Sequence, residues 1–103
     1  MEETPIVQPD FAPVTAASVE QQLADLARKL TEQLEAILLI IDEPLGLVAL
    51  AAAVSAPVPA VRQALETLLE DYDGRGNGPR RGFELREVGG GWRLYVREDH
   101  DDL

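Results

Sequence analysis

Six arginines, Arg75, Arg80, Arg81, Arg86, Arg93 and Arg97, lie between residues 75 and 97 against two acids, Glu84 and Glu87, a local charge of +4 in a chain of net charge −10. Guanidinium groups bind phosphates and carboxylates through charge-assisted hydrogen bonds. This basic island is therefore where the chain would recognise an anion. Arg86 and Arg93 carry the sharpest signal. If Gly89-Gly90 forms the two-residue turn its glycines suit, Leu85 opposes Leu94, Phe83 opposes Val96, and Arg86 opposes Arg93 beside Tyr95. No other register gathers the apolar residues, Trp92 included, on one face. Like charges directly opposed across two strands cost stability, so the pair makes most sense facing an acidic ligand. Arg97 continues the outer face. Arg86, Arg93, Tyr95 and Arg97 are accordingly the expected partner contacts of the hairpin. The blander reading is that Glu84, opposite Tyr95, neutralises the face diagonally.

Other chemistry finds little support. There is no cysteine, and the one histidine, His100, sits in the acidic tail beside Asp101 and Asp102. Disulfides, thiolate zinc sites and a thiol nucleophile are thereby excluded. The acids pair with no histidine or serine in a plausible triad. Gly82, Gly89, Gly90 and Gly91 belong to a hairpin rather than to a phosphate loop before a helix. No catalytic residue, cofactor or metal site is expected. The acidic start is followed by no apolar segment, and the runs Ala36 to Ile41 and Leu47 to Val54 are far short of a membrane span. A cytoplasmic protein without membrane contact is expected.

The elements that must hold the hairpin are helical. At 103 residues the chain holds one small domain whose core supplies modest stability, so part of its apolar surface calls for a partner. Residues 1–17, with Pro5, Pro9 and Pro13, read as a disordered leader. Residues 18–30 read as an additional amphipathic helix, opened by a Ser18/Gln21 capping box and striped by Val19, Leu23, Leu26 and Leu30. Packing on its own domain and a short coiled-coil-like contact both fit that stripe. A domain over residues 31–98 follows, and 99–103 form an acidic tail. Its first helix runs from about Thr31 to Asp42, with Leu34, Ile37, Leu38 and Ile41 inward and Pro44 terminating it. Leu39 and Ile40 lie off that stripe, so the helix must be covered on more than one side. A short helix over Leu47–Ser55 turns Leu47, Leu50, Ala51 and Val54 inward and offers only Val48, Ala49, Ala52 and Ala53 outward. Leu39, Ile40, Val48 and Ala52 are the expected dimer or partner interface. After the turn Ser55-Ala56-Pro57-Val58, a third helix over Pro59–Asp73 turns Val61, Leu65, Leu68, Leu69 and Tyr72 inward. Residues 74–82, rich in glycine, are expected to be a mobile loop.

Helix, turn, helix, turn, helix, hairpin is the order of a winged helix-turn-helix, a mainly α fold with a small antiparallel β-hairpin. Such folds usually read DNA with the third helix, through Arg, Lys, Asn and Gln. Here that helix exposes Arg62, Gln63, Glu66, Thr67 and Glu70 and closes with Asp71 and Asp73, while the second helix has no charge. Phosphate neutralisation dominates affinity for DNA, and this face opposes it. At most, weak non-specific contact through the basic wing remains, which leaves a DNA-binding transcriptional regulator as the alternative function.

The residues from about Thr31 to Glu98 resemble the N-terminal winged-helix domain of the segregation and condensation protein B family. The likeness rests on Leu34-Glu35-Ala36-Ile37-Leu38-Leu39 leading to Asp42-Glu43-Pro44-Leu45, on Leu50-Ala51, on Val61 to Tyr72, on Phe83-Glu84-Leu85 and on Gly90-Gly91-Trp92-Arg93-Leu94. The resemblance implies a non-enzymatic, homodimerising subunit of the bacterial chromosome condensation and segregation complex. It would bind the kleisin, a segregation and condensation protein A-like subunit, and through it SMC, in the cytoplasm on the nucleoid. Family members carry two winged-helix domains in tandem, so the chain reads as a truncated or atypical member. The tethered acids from Glu98 to Asp102 are candidates to mask the wing until a kleisin segment displaces them.

Overall fold

The computed structural model describes residues 16–98. The elements run α1 (Ala16–Ile40), β1 (Leu45–Gly46), α2 (Leu47–Val54), α3 (Val58–Tyr72), β2 (Phe83–Val88) and β3 (Gly91–Val96). The helices pack on a three-stranded antiparallel sheet of order β1-β3-β2, which is a winged helix. Leu34, Leu50, Val61, Leu65 and Tyr72 are fully buried at the helix junction, and Leu85 and Trp92 close the core from the hairpin. Tyr72 stacks edge-on against Phe83 at 4.9 Å and donates its phenol to Glu35 Oε2 at 2.6 Å. Burial, then Glu35, push the phenol's pKa upward, so it stays a neutral donor.

The hairpin has the expected register: Phe83↔Val96, Leu85↔Leu94 and Arg86↔Arg93, with Gly89 and Gly90 at φ of 60° and 81°. The third helix buries Val61, Leu65, Leu68 and Tyr72 as expected, and Ala64 with them, while Leu69 is half-buried. Two features depart from the sequence reading. Residues 18–30 and the first domain helix are one continuous helix, which already includes Ala16 and Ala17 of the expected leader. The stretch Lys29-Leu30-Thr31-Glu32 contains no breaker, and the Thr31 hydroxyl donates back to the Ala27 and Arg28 carbonyls at 3.2 and 2.8 Å, inside the helix. Gln21 does not close a capping box but donates its amide to Asp25 one turn on. The second departure is β1. Two residues are too short for any periodic signal, yet Leu45 pairs with Trp92 and Gly46 with Gly91.

α2 ends with Ser55 in the left-handed region, φ 53°, and the Ser55 and Ala56 N–H groups donate to the Ala52 and Ala51 carbonyls. The loop after α3 has no regular structure, as expected, but it is tied down. Arg75 N–H donates to Glu70 O at 2.9 Å and Arg81 N–H to Tyr72 O at 2.8 Å. The expectations for residues 1–15, for the tail at 99–103 and for its masking of the wing lie outside the described residues.

Candidate functional site

The wing presents a cationic, aromatic face. The Arg86 and Arg93 guanidinium carbons lie 4.8 and 5.7 Å from the centroid of the Tyr95 ring. The ring's negative π-face offsets part of the repulsion between two opposed like charges. Among the described residues neither arginine has a carboxylate within ion-pair distance. Glu84 does not neutralise them; its carboxylate approaches Arg97 instead, at 3.9 Å.

Arg97 is not a partner contact, which corrects the sequence reading. It is buried, 6 % exposed. Its Nη2 donates to Tyr72 O and to Asp73 Oδ1, both at 2.8 Å, and its Nε donates to Arg81 O at 2.7 Å. Strand alternation puts Arg97 on the same face as Arg93 and Tyr95, but the C-terminus of α3 and the following loop cover that end of the face. The hydrogen bond from Arg97 holds the Asp73 carboxyl below the ordinary carboxylate range.

The basic island shrinks on folding for the same reason. Arg75 pairs with Asp73 at 3.2 Å and Arg81 with Asp71 at 3.3 Å. The acids that close α3 thus neutralise three of the six arginines, and the cationic surface is concentrated on Arg86 and Arg93.

The expected apolar interface is open. Leu39 is 66 %, Ile40 81 % and Val48 73 % exposed, and Ala52, one turn after Val48 on α2, is exposed as well. Leu39 also lines a shallow groove of about 310 Å³ with Leu38, Ile41, Phe83, Arg93, Leu94, Tyr95 and Val96. The end of α1 and the wing therefore form one continuous surface, which no local pattern announces. Val96, expected inside opposite Phe83, is 59 % exposed and belongs to it. Val96 lines the groove rather than the core, so alternation alone does not bury it.

Arg62, Gln63, Glu66, Thr67 and Glu70 are all exposed on α3. Carboxylates at the groove-reading position would meet phosphates with one arginine to compensate. Gel shifts at physiological salt are expected to show no sequence-dependent complex. Binding at low salt would come from Arg86 and Arg93 and would collapse as salt is raised. A nanomolar, sequence-dependent complex at physiological salt would establish a DNA reader instead.

Fold and surface together define a winged-helix protein whose open faces suit protein contact better than base readout. Residues 32–103 match the family model described as "Segregation and condensation complex subunit ScpB", and the chain belongs to that family. The chain is similar to ScpB from Mycobacterium tuberculosis at 38 % identity and a TM-score of 0.66, over 74 % of this chain and 45 % of that one. It thus spans about half the length of that relative. A dimer of an ScpB N-terminal domain complexed with an ScpA peptide matches at 26 % identity and a TM-score of 0.64, over 75 % of this chain and 91 % of that one. A conserved hypothetical protein from Chlorobium tepidum shares the fold at 23 % identity and a TM-score of 0.64, over 77 % and 48 %. No curated protein matches. Among the described residues no cluster of His, Asp and Glu could hold a metal, and no single helix is long and apolar enough to cross a membrane.

Proposed function

We propose that the chain is a non-enzymatic subunit of a bacterial SMC–kleisin complex in the cytoplasm, acting on the nucleoid, that self-associates and binds the kleisin. The observation that carries this reading is the uncovered apolar surface of Leu39, Ile40, Val48 and Ala52 on a winged helix with an acidic third helix. Large apolar side chains left this open on a small domain suit an interface. Family membership supports it, as does the solved ScpB N-terminal domain that is a dimer holding an ScpA peptide. The wing contributes Arg86, Arg93 and Tyr95 to an acidic stretch of the partner. An exposed ion pair there is worth only about 0–1 kcal/mol, and burial beneath a partner raises it.

The test is a molar mass in solution beside kleisin capture. Ile40→Glu/Val48→Glu is expected to lower the association state by one step with helicity unchanged, because both side chains are solvated in the single chain. Arg86→Glu/Arg93→Glu should keep the fold and weaken capture of a kleisin segment at least several-fold. If it binds the segment as well as the parent does, the wing is only a solvated surface. If the belt variant keeps the parent's mass, the belt is not a self-contact.

A further inference from the structure

α1 runs past the edge of its own domain. Eleven residues make three helical turns, so Val19, Leu23, Leu26 and Leu30 share a face with Leu30, Leu34, Ile37 and Ile41. The N-terminal half of α1 therefore carries the core stripe beyond the core. There it is open, with Val19 39 %, Leu23 60 % and Leu26 62 % exposed. Leu23, Leu26 and Leu30 form one wall of a groove of about 960 Å³, and the α2–α3 turn, through Val54, Pro57 and Ala60, forms the other. The family match begins at residue 32, so this half-helix lies outside what the family model covers.

We propose that this groove seats a second copy of the chain. The N-terminal halves of two α1 helices pack antiparallel about a two-fold axis between Leu23 and Leu26, and each first turn enters the groove of the other copy. Spacing is the first reason. The four-three-four order reads the same in both directions, so Val19 meets Leu30 and Leu23 meets Leu26 of the other copy. All four apolar layers match under one two-fold, which makes the contact self-complementary. Charge is the second. Residues 16–31 hold two acids, Glu20 and Asp25, and two bases, Arg28 and Lys29, hence no net charge in a chain of −10. Self-contact meets no net repulsion along this segment. The acids precede the bases, so antiparallel packing lays each acidic half beside a basic half, whereas parallel packing would set like beside like. Opposed helix dipoles favour the same sense. Continuity is the third. The groove wall at Val54–Ala60 stands beside Leu30, where the antiparallel partner's Val19 arrives.

This contact is separate from the Leu39, Ile40, Val48 and Ala52 face, and a chain with both assembles beyond a dimer. Light-scattering masses across micromolar concentrations test it, with circular dichroism as the fold control. The parent is expected to exceed the dimer mass, Leu23→Glu/Leu26→Glu and Ile40→Glu/Val48→Glu each to stop at the dimer, and the combined variant to be monomeric. The chain has no cysteine, so pairing sense is directly readable. Mixed Leu23→Cys and Leu26→Cys chains should form a disulfide-linked dimer faster than either variant alone. Faster like-with-like linking means parallel packing and overturns the proposal. A stripe variant with the parent's mass at every concentration also overturns it, and leaves residues 1–15 or another protein as the groove's occupant. An unaltered mass for Ile40→Glu/Val48→Glu alone counts against the proposed function and leaves this contact standing.

Discussion

Arg97→Ala is expected to lower the free energy of unfolding by about 2–3 kcal/mol. The guanidinium is the shared donor for two backbone carbonyls, Tyr72 and Arg81, and for the Asp73 carboxylate, all within 2.8 Å. Without it, the end of α3 and the loop lose their side-chain tie to the end of the hairpin; the Arg81 carbonyl loses its donor, Tyr72 O keeps only the Arg81 N–H, and Asp73 keeps only Arg75. The figure is kept below the range for fully buried pairs because the Asp73 side chain is 29 % exposed and can turn toward water. Arg86→Ala, on the same sheet face but exposed, should stay within about 0.5 kcal/mol, and Arg93→Ala, half-buried and without a carboxylate partner among the described residues, within about 1 kcal/mol. Urea unfolding of the three variants measures the contrast. An Arg97 variant as stable as the Arg86 variant would show that the tie contributes nothing. The same link sets an acid dependence. Arg97 lowers the Asp73 pKa from its ordinary 3.8, so the unfolded chain holds the proton more tightly than the folded one. The contribution is complete above the unfolded value and is lost as pH falls through the folded value. The gap between parent and Arg97→Ala should therefore narrow in strong acid by the Asp73 share, while the part owed to the Tyr72 and Arg81 carbonyls persists.

Gly91→Ala is expected to cost about 1–3 kcal/mol and to release β1 from the sheet. A Cβ at this position would sit 2.6 Å from Pro44 Cβ, 3.1 Å from Pro44 C and 3.3 Å from Leu45 N. These are backbone and ring atoms that cannot swing aside. β1 is held by only two pairs, Leu45↔Trp92 and Gly46↔Gly91, so the shift needed to admit a methyl group undoes its pairing. Trp92, the only tryptophan, is 8 % exposed beneath that strand, and its fluorescence should move to the red as β1 lifts. Gly46→Ala is the control. Its nearest contact, Gly90 O at 3.5 Å, is an ordinary one, so it should leave the emission unchanged. An unshifted spectrum in Gly91→Ala would mean that β1 adapts without leaving.

Periodic features were legible in the residue order. The hairpin register follows from alternation around Gly89-Gly90, because a slip of one residue would turn Leu85, Leu94 and Trp92 to water. The inward faces of α2 and α3 follow from three-four spacing, and the acidic outer face of α3 is written in Glu66 and Glu70. Leu39, Ile40, Val48 and Ala52 could be named as uncovered because they stand off the core stripes of their own helices. All of these depend on neighbours within a few positions along the chain.

Arg97, β1 and the open N-terminal half of α1 depend on contacts that the local pattern does not encode. Arg97 looks like Arg93 along the strand; only the arrival of Asp73 and the Tyr72 carbonyl, some 25 positions away in the chain, turns it from a surface cation into a buried donor. β1 exists because Trp92 and Gly91 offer an edge to two residues with no strand signal of their own. The stripe at Val19, Leu23 and Leu26 has the same spacing whether covered or bare. Whether it is covered depends on where α2 and α3 end, since helical periodicity states which side chains share a face but not how far the neighbouring helices extend along it.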